Sequence, residues 1–220
     1  MKILNLYSGI GGNRKLWGDE HEITAVELNP DIAKIYKDFF PKDTVIVEDA
    51  HKYLLNHYRE FDFIWSSPPC PTHSRTNTFL NAQGIIRYPK MDLYQEIIFL
   101  KQFFKGKWVI ENVIPYYEPL VLPTILIGRH YLWSNFKIHN IKIKDILNNI
   151  TNSRESTRIP NKDYKEGLKK YHGFETSGYN LKNELQVLRN CVNPKVGQHI
   201  LDCAMDYIRK TNLTQTTLEL

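Results

Sequence analysis

The strongest constraint on this chain is a rhythm in its first 113 residues. Short apolar runs that close on small, acidic or proline residues alternate with helix-forming stretches. Lys2–Tyr7, Glu22–Val26, Thr44–Val47, Phe61–Trp65 and Lys107–Ile110 read as five strands. Between them, a short helix is expected from about Asn13, and a second from Asn29-Pro30, with Asn29 as cap and Pro30 at the first helical position, to about Phe40. Two more are expected over Ala50–Tyr58 and Met91–Lys105, the latter closed by Gly106. Such alternation gives an α/β fold, a mostly parallel sheet with right-handed crossovers and helices on both faces. Ligands and chemistry collect at the carboxyl edge of such sheets.

Each strand delivers something chemical to that edge. The first is followed by Ser8-Gly9-Ile10-Gly11-Gly12, where glycines let a ligand approach the backbone. A purely structural turn is the competing reading. The second ends on Glu27, an acid placed as those that bind ribose hydroxyls. The third ends at Glu48-Asp49, where Asp49 either accepts from an exocyclic amine or caps the next helix. The fourth delivers Pro68-Pro69-Cys70: two prolines with fixed φ and no N–H stop the ladder and present a cysteine on a stiff turn. The fifth ends on Glu111-Asn112-Val113, a carboxylate on the same edge. A thiolate is the strongest side-chain nucleophile near neutral pH, so Cys70 is expected to attack something. The polar stretch Thr72–Tyr88 beside it reads as a structureless lid.

Composition narrows the class. At 220 residues, 42% hydrophobic and 24% charged, the chain has one substantial core, and it contains no run of about 18 apolar residues for a membrane span. Three scattered cysteines give no disulfide framework, and a reducing cytoplasm is the expected compartment. The phosphate-loop spelling of nucleotide triphosphatases is absent. All of the net charge of +5 falls between Lys137 and Asn190, where 11 Lys/Arg face 6 Asp/Glu. That suits a polyanion as well as a solvated surface. Thr124–Ile127 and Tyr131–Phe136 are expected to form a hairpin across Gly128-Arg129-His130. The expected division is one strand–helix domain over 1–136 and a small insertion over 137–188. A C-terminal helix over 189–210, packing through Val196, Ile200, Ala204 and Ile208, then completes the domain before a polar tail, 211–220.

Taken in order, Tyr7–Gly12, Glu27, Asp49, Pro68-Pro69-Cys70, Glu111-Asn112-Val113 and Asn190-x-Val192-x-Pro194 resemble the signature blocks of the DNA cytosine-5 methyltransferases, over nearly the whole chain except about 137–188 and the tail. The resemblance implies a Rossmann-like S-adenosylmethionine-dependent fold and transfer of methyl to C5 of a cytosine flipped out of double-stranded DNA, as in restriction-modification. It implies a cofactor site made by Tyr7, Ser8, Gly9, Gly11, Gly12, Glu27, Leu28, Asp49, Ala50, Pro68, Asn190 and Val192. It assigns Cys70 to addition at C6, Glu111 to N3 and Arg129 to the cytosine carbonyl, with His73, Ser74, Arg75 and Asn112 at the nucleic acid. No metal is implied, and a monomer is expected, a dimer left open. The resemblance makes 1–136 the catalytic and cofactor-binding domain and 137–188 the target-recognition region, compact as in a phage or mobile-element form in a bacterial or phage-infected host cell. Pro71 stands where the family has glutamine, and Gly128-Arg129-His130 replaces the family's glutamine–arginine–x–arginine.

Two other substrates or roles fit the same blocks: an RNA cytosine-5 methyltransferase, since one branch of the family uses transfer RNA, and a catalytically weak nucleic-acid-binding relative. Cys70-x-x-His73 as half of a metal site lacks the further ligands that such a site needs.

Overall fold

The computed structural model describes residues 1–141 and 161–206. Among them, β1 (Lys2–Leu6), β2 (Glu22–Glu27), β3 (Thr44–Val47), β4 (Phe63–Ser66), β5 (Lys107–Val113), β6 (Ile125–Ile127) and β7 (His130–Ser134) form a sheet in the order β3-β2-β1-β4-β5-β7-β6. The first five strands are mutually parallel, and β7 and β6 continue the sheet antiparallel. The helices are α1 (Pro30–Phe39), α2 (Ala50–His57), α3 (Asn77–Ala82), α4 (Asp92–Phe103), α5 (Asn161–His172), α6 (Glu184–Asn190) and α7 (Pro194–Ala204).

Side chains alternate across each strand, so the sheet has two apolar faces. Leu4, Leu6, Ile64, Trp108 and Ile110 meet Leu54 of α2 and Leu93, Ile97 and Leu100 of α4 on one of them. Ile3, Phe63, Trp65 and Val109 meet Ile200, Leu201 and Ala204 of α7 on the other, with Trp17 beside them. This is the mostly parallel α/β sheet that the strand–helix rhythm implies, and the Rossmann-like fold that the resemblance implies. Among the described residues no helix is long and apolar enough to cross a membrane.

Local departures have physical reasons. The helix expected from Asn13 is a single 3-10 turn, Arg14–Leu16. Its polar side chains turn inward instead: Asn13 and Asn5 exchange amide hydrogen bonds of 2.8 and 3.3 Å, and Arg14 grips Asp43 at 2.8 and 3.0 Å. Helix α4 ends at Phe103, short of Gly106, because Phe104 turns extended (φ −88°, ψ 132°) and buries its ring. The stretch after Thr72 is not structureless, since it carries α3. His130 belongs to β7, so the hairpin turns on Gly128 (φ +59°) and Arg129. The last helix stops at Ala204; Ile208, the tail 211–220 and residues 142–160 of the insertion lie outside the described residues.

The described part of the basic region packs on α1, with Leu168, Phe174 and Leu188 against Ile35 and Ile10. Much of its charge is paired: Lys165 and Lys169 lie 2.9 and 3.2 Å from Glu184, whose carboxyl is held down at about 2 chiefly by hydrogen bonds from Thr176 and Lys165. His172, buried at the end of α5, is pushed down by that burial from 6.5 to about 4. The folded state therefore holds a neutral imidazole that the unfolded chain protonates first. Stability is complete above about pH 6.5 and falls as pH drops toward 4, by on the order of 3 kcal/mol from this group. His172→Leu is expected to remove that part of the acid loss, read as a smaller difference in urea midpoint between pH 7 and pH 4.5 than in the unaltered chain.

Candidate active site

Everything chemical sits where the parallel strands end. Beyond β1, Tyr7 takes a left-handed backbone (φ 54°), unusual for a side chain of that size, and Gly9 and Gly11 follow at +53° and +86°. The turn is pinned from β2: the Gly9 N–H donates to Glu27 Oε2 at 3.1 Å and the Asn29 N–H to Oε1 at 2.9 Å. Burial pushes the Glu27 carboxyl up, and those backbone donors offset part of the rise. A Cβ on Gly9 would meet nothing within 4 Å, so the backbone there is open to a ligand. Ser8 Oγ is buried without a partner, a polar atom left for a ligand to satisfy. A glycine turn, an unpaired hydroxyl and a strand-end carboxylate suit an adenosine-type molecule with ribose hydroxyls.

From the C-terminal side, a Cβ on Gly12 would lie 2.4 Å from both Cys191 Sγ and the Val192 carbonyl, so Val192 closes against the glycine turn. Asn190 is exposed on the same segment and accepts from Gln186 Nε2 at 2.7 Å. Leu28 is exposed beside Glu27. Asp49 caps α2 by accepting the Lys52 N–H at 2.9 Å, and Ala50 buries its methyl in the core, leaving only backbone for a ligand.

The Pro-Pro-Cys turn is anchored from two sides. Asn112 Nδ2 donates to the Pro68 carbonyl at 2.9 Å, tying the end of β5 to the end of β4. The Cys70 carbonyl accepts the N–H groups of His73 and Ser74 at 2.9 and 3.0 Å. Cys70 itself is half-buried. Its thiol is pushed up first by burial and then by the negative charge of Glu111, while Arg129 acts the other way. The three groups expected to share the chemistry thus lie within electrostatic reach of one another. Glu111 is largely buried, with His130 Nε2 3.5 Å from its Oε1. Arg129 is exposed on the β6–β7 turn, and its carbonyl holds the Ile114 N–H.

Two residues expected at the nucleic acid face inward instead. Asn112 is buried and its amide is engaged with Pro68 and the Val113 N–H. His73 is 1% exposed, with Nδ1 against the Tyr117 hydroxyl, and its desolvated imidazole is held neutral. Both face the Pro-Pro-Cys turn rather than solvent: Asn112 through the Pro68 carbonyl, and His73 through its N–H on the Cys70 carbonyl and its ring against Tyr117. Ser74 is half-buried, accepting from Thr76, and Arg75 is exposed. Glu96 escapes notice in the sequence altogether. It is fully buried on α4 and accepts from Tyr7 and Ser66, with His51 beside it. The available signal was one acid amid the buried stripe Leu93, Tyr94, Ile97 and Leu100.

With the geometry in view, similarity to other proteins becomes informative. A tRNA (cytosine(38)-C(5))-methyltransferase of Spodoptera frugiperda is 31% identical over 102 residues, covering 39% of this chain and 31% of that protein, so the chain spans about a third of that relative's length. A crystal structure of Spodoptera frugiperda DNMT2 is 30% identical and superposes with a TM-score of 0.37 over 51% of this chain and 35% of that one. The Entamoeba histolytica methyltransferase EhMeth shares the fold at a TM-score of 0.56, with 15% identity, over 94% of this chain and 98% of that one. The family model described as C-5 cytosine-specific DNA methylase matches residues 1–115, which include the glycine turn, Cys70 and Glu111, and the chain belongs to that family.

Proposed function

We propose that this chain is an S-adenosylmethionine-dependent methyltransferase acting on C5 of cytosine in duplex DNA. The observation that carries the reading is the convergence of Cys70, Glu111 and Arg129 on the sheet edge that also bears the glycine turn and Glu27. S-adenosylmethionine supplies an electrophilic methyl group when bound. Glu27, the open Gly9 backbone and the unpaired Ser8 hydroxyl are the groups that would hold its adenosine part.

Cytosine C5 is a weak nucleophile until a group adds to C6. Cys70 Sγ forms that bond as a thiolate once its proton has passed to Glu111, and Glu111 hands that proton to N3, toward which the electron pair is displaced. Arg129 steadies the carbonyl. After methyl transfer, the C5 proton passes to water, Cys70 departs as the thiolate and Glu111 takes back the proton from N3, which restores the aromatic ring. Burial and the Glu111 charge both keep Cys70 in its thiol form at rest, so the thiolate forms as the thiol proton passes to Glu111, which removes the opposing charge. Because the ring must be reached by the thiol, the base leaves the helical stack, with the segment over α3 beside it.

An RNA substrate is the second reading, favoured by the similarity to a tRNA methyltransferase. Incubation with methyl-labelled S-adenosylmethionine and, separately, duplex DNA and transfer RNA distinguishes them. Label at cytosine C5 in duplex DNA is expected. Label confined to transfer RNA establishes the second reading, and no incorporation into either overturns both.

A further inference from the structure

A buried carboxylate that sequence reading passes over connects the ends of β1 and β4 to the start of α2. Glu96 enters from α4 with no exposed surface. Its Oε1 accepts the Tyr7 hydroxyl at 2.7 Å and lies 3.0 Å from His51 Nδ1; its Oε2 accepts the Ser66 hydroxyl at 2.6 Å. Tyr7 follows β1, Ser66 ends β4, and His51 lies two residues beyond Asp49 in the first turn of α2. A carboxylate taken wholly out of water is tolerated only when donors replace its hydration, and here three side chains do so.

We propose that Glu96 is a positioning residue for the cofactor pocket: by gathering Tyr7, Ser66 and His51 it fixes the floor of the β1–β3 edge, and through His51 it makes binding there depend on pH. The inference rests on the reading of this edge as the S-adenosylmethionine site.

Two features support it. Tyr7 is held in a left-handed conformation, which costs about 1–2 kcal/mol for an ordinary side chain. Its hydroxyl bond to Glu96 opposes relaxation of that backbone, and the turn through Gly9 begins two residues later. His51 sits at the boundary, its side chain 18% exposed, so it exchanges protons with solvent while Glu96 does not. The acids facing His51 are Glu96 and Asp92 from α4 and Asp49 from the loop before α2; the Tyr7 hydroxyl shares Oε1 with it. The hydrogen bond to Glu96 is the largest influence on the imidazole and raises its pKa; burial opposes it, and the charges of Glu96, Asp92 and Asp49 add to the rise. The sign follows. Below the raised pKa the imidazolium compensates the carboxylate and the floor is closed. As pH rises through that value the proton is lost, three acids face a neutral ring, and the arrangement that orients Tyr7 loosens.

S-adenosylhomocysteine is the probe to use, because its sulfur is uncharged and its affinity reports geometry rather than attraction of a sulfonium to acids. In the unaltered chain its Kd, read by calorimetry from pH 6 to 8.5, is expected to rise at least threefold, with a midpoint matching that of His51 read by NMR. In Glu96→Gln the Kd at pH 6 is expected to rise at least tenfold and lose its pH dependence, with the His51 midpoint lowered to its ordinary range or below. His51→Gln, at a partly exposed position, is expected to flatten the pH profile alone and decides the matter if Glu96→Gln does not fold. Binding within twofold of the unaltered chain in folded Glu96→Gln, or a pH profile unchanged in His51→Gln, overturns the inference while leaving the cofactor reading intact. Failure of the unaltered chain to bind the probe overturns both.

Discussion

Replacing Cys70 with serine is expected to lower methyl transfer by more than about a thousandfold, while the thermal midpoint stays close to that of the unaltered chain. Fold and chemistry separate at this position. The turn is held by backbone and neighbours: the Cys70 carbonyl accepts two N–H groups, and Asn112 grips the Pro68 carbonyl. None of these contacts uses the sulfur. A serine oxygen preserves them but is far harder to ionise, so addition to C6 fails. The companion substitution Glu111→Gln has a double signature. Methyl transfer falls by about 10²- to 10⁴-fold, because no proton reaches N3. Burial and the Glu111 charge together raise the Cys70 thiol, and the substitution removes the second of these causes. Alkylation of Cys70 by iodoacetamide at pH 7.5 is therefore expected to become faster in Glu111→Gln, even as turnover drops. A small electrophile needs only the thiolate, whereas cytosine needs the thiolate and a proton donor together. If alkylation slows along with methyl transfer, Glu111 supports the turn rather than the chemistry.

The parts of this site visible in the sequence are those that local physics places. Strands β1 to β5 follow from apolar runs, and their ends from glycine, acid and proline, so Gly9, Glu27, Cys70 and Glu111 fall on one edge without knowledge of tertiary contacts. What stayed hidden depends on partners distant in the chain. Glu96 meets Tyr7 across 89 residues, and its place on the buried stripe of α4 shows its burial but not its partners; His73 meets Tyr117 across 44, from a turn with no periodicity. The short turn at Arg14 is similar: helix propensity favours a longer element, but the bond to Asp43, 29 residues away, draws the guanidinium inward. The family resemblance sets Asn112 and His73 at the nucleic acid; here both are buried, with bonds into the turn around Cys70 that only tertiary contacts reveal.

Gly197→Ala is expected to be the most damaging single-methyl change outside the chemistry. In an unobstructed helix interior, glycine to alanine stabilises by about 1 kcal/mol. At Gly197, in α7, the added Cβ would stand 2.3 Å from the Asn13 carbonyl oxygen, 2.6 Å from its Cα and 2.8 Å from its carbonyl carbon. These are backbone atoms, and Asn13 cannot step aside because its side chain is engaged with Asn5 in the buried floor of the glycine turn. The helix must move instead, lifting Ile200 and Leu201 from Trp65 and Phe63. Overpacking of this kind costs about 1–3 kcal/mol, which for a chain of this length lowers the thermal midpoint by about 2–12 °C. The damage reaches the site, because Asn193, Val192 and Cys191 precede α7 directly and Val192 closes against Gly12. Cofactor affinity is therefore expected to weaken along with the midpoint. Gly178→Ala is the control, since a Cβ there meets nothing within 4 Å and its backbone needs no left-handed conformation. Its midpoint should stay within about 1 °C of the unaltered chain, as for surface changes that touch nothing. A Gly197→Ala protein that melts like the control would mean that α7 has room to slide at Asn13, and that the glycine turn is not held from the C-terminal side.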